Sequence, residues 1–226
     1  MATLTLNAPT VGLSAPTSWG SRAQIEAQLK KIWTNYGKYI QFASKESGIA
    51  PEVLVSFISV ESGGNPTAGG SGSATQGLMQ FNKNYVKAQL KNEFTSKRLS
   101  ANEKSKLAAY GFNFDANGNT RDFTQADLVK PELNVVVGSI VLGQLIDQPF
   151  AVQNGNLRLD KVITTYNSGL YSKWSKIAMA SNSTNAKQLH DELAGNSVTQ
   201  AYIRKIMGAN GSLDISTKEL KGIIIA

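Results

Sequence analysis

The stretch Ile58–Gln80, "ISVESGGNPTAGGSGSATQGLMQ", sets the terms for the rest of the chain. A run of aliphatic residues arrives at one carboxylate, Glu61. The 19 residues that follow, Ser62 to Gln80, are small, polar, Gly-rich and uncharged, and they close on Gly77-Leu78-Met79-Gln80. Upstream, Pro51 suits the first position of a helix and Glu52 its first turn. Val53, Leu54, Phe57 and Ile58 mark a buried side, and Gly63-Gly64 marks a stop. Glu61 therefore falls in the last turn, at the negative end of the helix dipole. Apolar residues precede it, and no Lys or Arg follows until Lys83. Burial and the dipole are both expected to favour the protonated carboxyl. Such a carboxyl is what a general acid for glycosidic cleavage requires. Glycines in the loop beside it allow an extended polymer to approach the backbone. Asn65, Ser71, Ser73, Thr75, Gln76 and Gln80 offer neutral hydroxyl and amide groups suited to sugars, and apolar Leu78 and Met79 anchor the loop in a core.

Outward from this stretch the pattern is helical. Ile25, Leu29, Ile32, Trp33, Tyr36, Ile40 and Phe42 recur at three- and four-residue spacings from Ser21 to Ser47, where Gly48 supplies a stop. Helical patterns return near 83–92 and 100–110, then at 131–147 ("PELNVVVGSIVLGQLID"), 157–168, 171–180, 185–194 and 197–208. Strand signals are sparse: residues 4–6, the loop after Glu61, and the tail "GIIIA". The chain reads as mainly α, without repeats and with short connections except at 111–130. Residues 1–20 read as an extended arm, 21–210 as one domain with an insert at about 83–130, and 211–226 as a C-terminal tail.

Composition narrows the classes. Among 226 residues, 41% are hydrophobic and 17% charged, which is a globular balance. The net charge of +7 and pI near 9.5 favour an anionic partner: nucleic acid, anionic lipid or bacterial cell wall. The 23 basic residues are scattered, with no tight Lys/Arg run and no aromatic-basic interleaving, which speaks against nucleic acid. The absence of cysteine excludes disulfides and Cys-zinc sites. His190 is the only histidine, which excludes His-based metal sites and Ser-His or Cys-His catalysis; it reads as a solvated residue on a late helix. No apolar run approaches the ~20 residues of a membrane span. The first twenty residues lack the basic start and apolar core of a secretory signal.

Four segments carry a family resemblance. "ESGGNPTA…S…QGLMQ" is similar to the first signature of the soluble lytic transglycosylase (SLT) family, which has the goose-type lysozyme-like fold. "PELNVVVGSIVLGQLID" resembles that family's Asn…Gly…Leu helix, "LDKVITTYNSG" its Ala-Tyr-Asn-Ala-Gly motif, and "VTQAYIRKIMG" its terminal Thr-x-x-Tyr-Val helix. They occur in the family's order and cover about residues 36–208. The resemblance implies a mainly α, lysozyme-like helical domain with a catalytic groove and little β structure. It makes Glu61 the single acid/base. Ser71 becomes a contact to substrate or to Glu61, Gln80 a substrate contact, and Tyr166 a hydroxyl close to the Glu61 carboxyl. Asn167 positions a turn that Gly169 permits, and Tyr202 lines the site or packs beneath it. The loop departs from the usual pattern by one added residue, with Ala74-Thr75 or Thr75-Gln76 where Gly-Ala is typical, so Ser71 and Ser73 stand as alternatives. Asn82 stands where an apolar residue often follows, Ser168 replaces Ala, and Val198 stands where many members carry a glutamate.

The implied reaction cleaves the β-1,4 bond between N-acetylmuramic acid and N-acetylglucosamine in peptidoglycan and leaves a 1,6-anhydro end, without a cofactor. Ordinary glycosidases pair two carboxyls ~5 to ~9.5 Å apart. No Asp or Glu lies between Glu61 and Glu93, so a second acid has to come from the insert, from Asp160 or from farther away. A hydrolytic muramidase of the same fold is the alternative, followed by a silent structural or wall-binding virion protein. In the insert, Asp115, Asn117 and Asn119, with Asp122 or Asp127, resemble the start of a cation loop. Thr120 stands at its sixth position and Ala126 at its twelfth, so the segment reads as a polar turn and no metal is expected. The expected setting is a phage virion, tail-associated and acting on the host cell wall. There the N-terminal arm and apolar tail would dock on tail or baseplate hub proteins by strand addition.

Overall fold

The computed structural model describes residues 12–70 and 73–220. Among these residues the chain is mainly α, with eleven α-helices and one short β-hairpin. No described helix is long and apolar enough to cross a membrane. The chain divides into two compact units, Lys30–Gly143 and a second formed by the residues up to Leu29 together with those from Gln144 onward. The boundaries fall within α1 (Arg22–Ser47) and α6 (Pro131–Ile146).

The Lys30–Gly143 unit holds most of α1 and α6, with α2 (Pro51–Ser62), α3 (Lys83–Thr95), α4 (Ala101–Ala109) and α5 (Gln125–Leu128). Helix α2 begins on Pro51, whose missing N–H would have had no partner in the first turn. Every residue from Val53 to Ser59 is buried, so α2 is an interior helix rather than an amphipathic one. It ends where Gly63 turns left-handed at φ 64° and its N–H closes on the Ser59 carbonyl. Helix α6 is likewise buried without interruption from Leu133 to Leu142. Each fully buried Val or Leu there contributes roughly 1.5–3 kcal/mol. Polar caps start the other helices. Asn82 accepts from the Asn84 and Tyr85 amides, and Ser100/Glu103 and Thr124/Asp127 form capping boxes on α4 and α5.

The insert is organised around aromatic pairs. Phe94 stacks on Phe114 and Phe112 on Phe123, with centroids 4.7 and 4.0 Å apart, and the Arg121 guanidinium lies 3.7 Å from the Phe112 centroid. Its polar loop is a self-bonded turn. Asp115 Oδ1 accepts from the backbone amides of Asn117 and Asn119 at 2.8 Å, and Oδ2 from Asn119 Nδ2 at 3.0 Å. These bonds hold the Asp115 carboxyl below its usual range. Asp122 takes Lys87, and Asp127 caps α5, so the acids of this segment point to different partners.

The other unit continues from α6 through a 3-10 turn at Pro149–Ala151 into the hairpin. Strand β1 (Val152–Gln153) pairs antiparallel with β2 (Asn156–Leu157). Asn154 and Gly155 both adopt positive φ, 53° and 76°, as a two-residue hairpin turn demands. Helices α7 (Leu159–Ser168), α8 (Lys173–Ala180), α9 (Ala186–Glu192), α10 (Ser197–Met207) and α11 (Ser212–Glu219) follow. A buried ion pair fixes the start of α7. Asp160 accepts from Arg158 Nε at 3.0 Å and from its terminal nitrogen at 2.6 Å, and the same guanidinium reaches Gln153 and Ser183.

Three expectations need adjustment. The arm is docked from Leu13 on: Ala15 N–H donates to Ala209 O, Ala209 N–H to Leu13 O, and Arg204 Nε to Ser14 O. The segment read as a tail from 211 begins with α11, whose Leu213 and Ile215 are buried and whose Asp214 accepts from the Asn210 amide and pairs with Lys218. Among its described residues the loop after Glu61 makes no strand but one isolated bridge, Gln76 with Phe81. The strand signals at 4–6 and 222–226 lie outside the described residues, as does Ser71.

Candidate active site

Glu61 sits in the last turn of α2 and is partly exposed, one residue after the buried run Val53–Ser59. The loop that leaves this helix is built in two parts. Its first part lies near the surface: Asn65 Oδ1 accepts from the Thr67 amide and hydroxyl at 3.0 and 2.9 Å. Gly70 O accepts from Gln76 Nε2 at 2.7 Å and from Gln125 Nε2 at 2.9 Å. Ser73 is exposed, and its carbonyl accepts from Gln76 Nε2 at 3.1 Å.

The second part is clamped. Gln76 and Phe81 exchange backbone hydrogen bonds of 3.0 and 3.1 Å and enclose Gly77–Gln80. Gln80 adopts φ 52°, rare for a residue with a side chain. Its amide donates to Gly77 O at 2.7 Å and accepts from Thr75 Oγ1 at 3.1 Å. Leu78 and Met79 are fully buried. Asn134 of α6 holds the clamp from inside. Its Oδ1 accepts from Met79 N–H at 2.8 Å, and its Nδ2 donates to Leu128 O at 2.8 Å and Gln76 O at 3.2 Å. The close approach requires glycines. A Cβ on Gly77, at φ 85°, would stand 2.2 Å from Leu128 O and 2.3 Å from Asn134 Nδ2, and one on Gly138 would stand 2.2 Å from Met79 Sδ.

This geometry sorts the sequence candidates. Gln76, expected to face sugar, is 3% exposed and instead holds the loop together through its amide. Asn134, part of a quoted motif but given no role there, is the clasp. An amide ahead of the apolar run Val135–Val137 was the signal for it, because a buried amide has to find partners.

In the other unit, α7 carries Tyr166 and Asn167, both partly exposed, and ends at Gly169 with φ 83°. Asn167 Oδ1 accepts from Thr199 Oγ1 of α10 at 2.9 Å, and Asn196 Nδ2 donates to the same hydroxyl at 2.7 Å. Thr199, the threonine of the Thr-x-x-Tyr motif but given no role there, thus ties the Tyr-Asn turn to α10. Tyr202, on the same helix, is buried at 6% exposure, as a packing residue is.

The transglycosylase SLT domain matches residues 38–189, more than half of the chain, and the match takes in Glu61, the loop, α6 and Tyr166-Asn167. The chain belongs to the transglycosylase SLT family. Membership supports, at the level of the family, lytic transglycosylase chemistry on peptidoglycan. Tyr202 lies beyond the matched residues of the SLT domain. No curated protein matches the chain.

Proposed function

We propose that the protein cleaves the β-1,4 N-acetylmuramic acid–N-acetylglucosamine bond of peptidoglycan with Glu61 as its only catalytic carboxyl. Glu61 donates its proton to the glycosidic oxygen as the C1–O4 bond breaks. The carboxylate then takes the proton from the muramic acid 6-hydroxyl, O6 closes on C1, and the strand ends in 1,6-anhydro-muramic acid. Glu61 is left protonated for the next cycle, and no water is consumed. Gln80, Tyr166, Asn167 and the loop serines, Ser71 or Ser73, are substrate contacts in this reading.

The observation that carries it is where the other acids go. In the unit that holds Glu61, Glu46 accepts from Ser100 and Asn102, and Glu93 pairs with Arg98. Glu103 closes its own capping box, Asp115 its own turn, and Asp122 pairs with Lys87. Asp127 takes Arg121 and Lys130, and Glu132 takes Lys106 and Tyr110. Glu52 stands at the opposite end of α2, nine residues from Glu61, or about 13 Å along the axis. Asp160, a sequence candidate for a second acid, is buried against Arg158. A hydrolase needs a second carboxylate free to activate water. These commitments favour a mechanism that does without one.

Digestion of purified peptidoglycan, with the new sugar termini identified by mass, tests the reading. Anhydro-muramic ends from the wild type and none from Glu61→Gln are expected. Reducing ends from the wild type would establish a hydrolase, and lysis by Glu61→Gln would remove Glu61 from its role.

The phage setting and the docking of the arm on tail or hub proteins belong to the same proposal. The test is deletion of residues 1–11 only, because Leu13 to Ala15 are bonded into the fold. Loss of particle incorporation with full free-enzyme activity is expected. Loss of free-enzyme activity with normal incorporation would overturn it.

A further inference from the structure

We propose that Tyr171 is a stacking platform for a pyranose ring of the glycan strand, a positioning residue acting through its ring face; this rests on the reading of the protein as a glycan-cleaving enzyme. Tyr171 stands between α7 and α8, five residues after Tyr166 and four after Asn167. It is 82% exposed, more than any other large hydrophobic side chain among the described residues. A ring so exposed on a loose tip would carry no information. Here the backbone beneath it is locked at both ends.

The lock is a triangle of serine hydroxyls. Ser172 Oγ donates to Ser168 Oγ at 2.9 Å and lies 3.1 Å from Ser175 Oγ, and Ser168 and Ser175 are themselves 2.9 Å apart. Ser175 Oγ reaches Gly169 O at 2.6 Å, Ser168 Oγ reaches Thr164 O at 2.7 Å, and Ser172 N–H closes on Gly169 O at 3.1 Å. Ser172 also caps α8 through the Ser175 amide. Ser168 is the residue that departs from the Ala of the resembled motif, so this chain builds the triangle at a position where that motif has no hydroxyl. Next to it, a Cβ on Gly169 would meet nothing within 4 Å. The backbone there faces open space, and a flat ring can approach it beside the Tyr-Asn turn.

The chemistry selects the ligand. A pyranose offers an apolar C–H face to an aromatic ring and hydrogen-bonding groups at its edge. Tyrosine gives wide contact area at the entropic cost of two torsions, and the fixed turn lowers that cost further.

The test uses Tyr171→Ala, Tyr171→Phe and Tyr171→Trp in the full chain. One readout is cosedimentation of each variant, in a Glu61→Gln background, with purified sacculi and with sacculi stripped of their peptides by an amidase. The other is the rate of sacculus solubilisation against substrate concentration. Tyr171→Ala is expected to bind both preparations about threefold to tenfold more weakly, the loss a single aromatic contact entails. The half-saturating concentration rises while the rate at saturation holds, and Phe and Trp keep wild-type affinity. Wild-type binding by Tyr171→Ala would overturn the proposal. So would equal loss in Ala and Phe, which would assign the effect to the hydroxyl, or a loss that disappears when the peptides are removed. Cosedimentation does not depend on turnover. A wild type that binds through Tyr171 yet releases no anhydro ends would therefore sink the proposed reaction and leave the platform standing.

Discussion

At the scale of single residues, the loop depends on one buried amide. Asn134 has no exposed surface and three backbone partners, 6, 55 and 58 residues away in sequence. Asn134→Ala takes away the partner of Met79 N–H and of the Leu128 carbonyl inside the fold, while Gln76 O keeps Phe81 N–H. The expected loss is about 2–4 kcal/mol of stability, measured by denaturant unfolding, with a fall in activity as the loop loosens. Asn134→Asp keeps the acceptor for Met79 but turns an oxygen toward both carbonyls, so it is expected to be no better than Ala. An Ala variant within about 0.5 kcal/mol of wild type would remove the clasp. The contrast with Glu61 shows what a sequence makes legible. A lone carboxylate at the edge of a long uncharged run stands out by composition. The roles of Asn134 and Thr199 rest on partners 32 to 58 residues away, which spacing along the chain does not carry, and that of Gln76 rests on how its own loop folds back on it.

At the scale of elements, α1 and α2 were legible from apolar periodicity and from the residues that bound them, Gly48 after α1 and Pro51 and Gly63 around α2, whereas the caps Asn82 of α3 and Ser100 of α4 emerge only in the structure. Helix α11 was not legible, because its buried Leu213 and Ile215 are two apart and lie among Ser, Asp and Thr; tertiary contacts, not periodicity, make it a helix. The hairpin carried its own Asn-Gly signal, but strands of two residues leave no alternation to support it. Helix α6 adds a test in which two identical changes have opposite signs. Glycine to alanine inside a helix ordinarily stabilises by up to about 1 kcal/mol. Gly143→Ala is expected to show that gain, since its Cβ would meet nothing within 4 Å. Gly138→Ala is expected to destabilise, because its Cβ would press on Met79 and Phe81, the buried side chains of the clamped part of the loop. Thermal melts of the two variants decide it. If both rise, α6 does not brace the loop.

At the scale of the whole molecule, two charge effects oppose each other in character. The first is internal. Among the described residues, Glu46, Asp115, Asp122, Asp127, Glu132, Asp191 and Asp214 are held below their usual range. Arg121 is the largest cause for Asp127; for Glu132 burial is the largest single effect, but Lys106, Tyr110 and Lys38 together outweigh it. Glu103 is raised, by burial. A depressed carboxyl adds stability that is complete above its unfolded value and lost as pH falls through its folded one. Denaturation midpoints are therefore expected to be flat near neutrality and to fall below about pH 5, and Asp127→Asn should lose its deficit against wild type over the same range. The second effect is external. The net charge of +7 rests on scattered residues, so it acts as a diffuse field rather than a binding patch. Cell-wall peptides and polymers are anionic, and such a field raises the rate of encounter. Screening shortens its reach from ~14 Å near 0.05 M salt to a few ångströms near 1 M. The initial rate of sacculus solubilisation is accordingly expected to drop several-fold over that range, while the Tm of the free protein, measured in the same buffers, moves little. A rate that stays level would mean that capture of the wall depends on local contacts alone, and that the excess of Lys and Arg serves some other end.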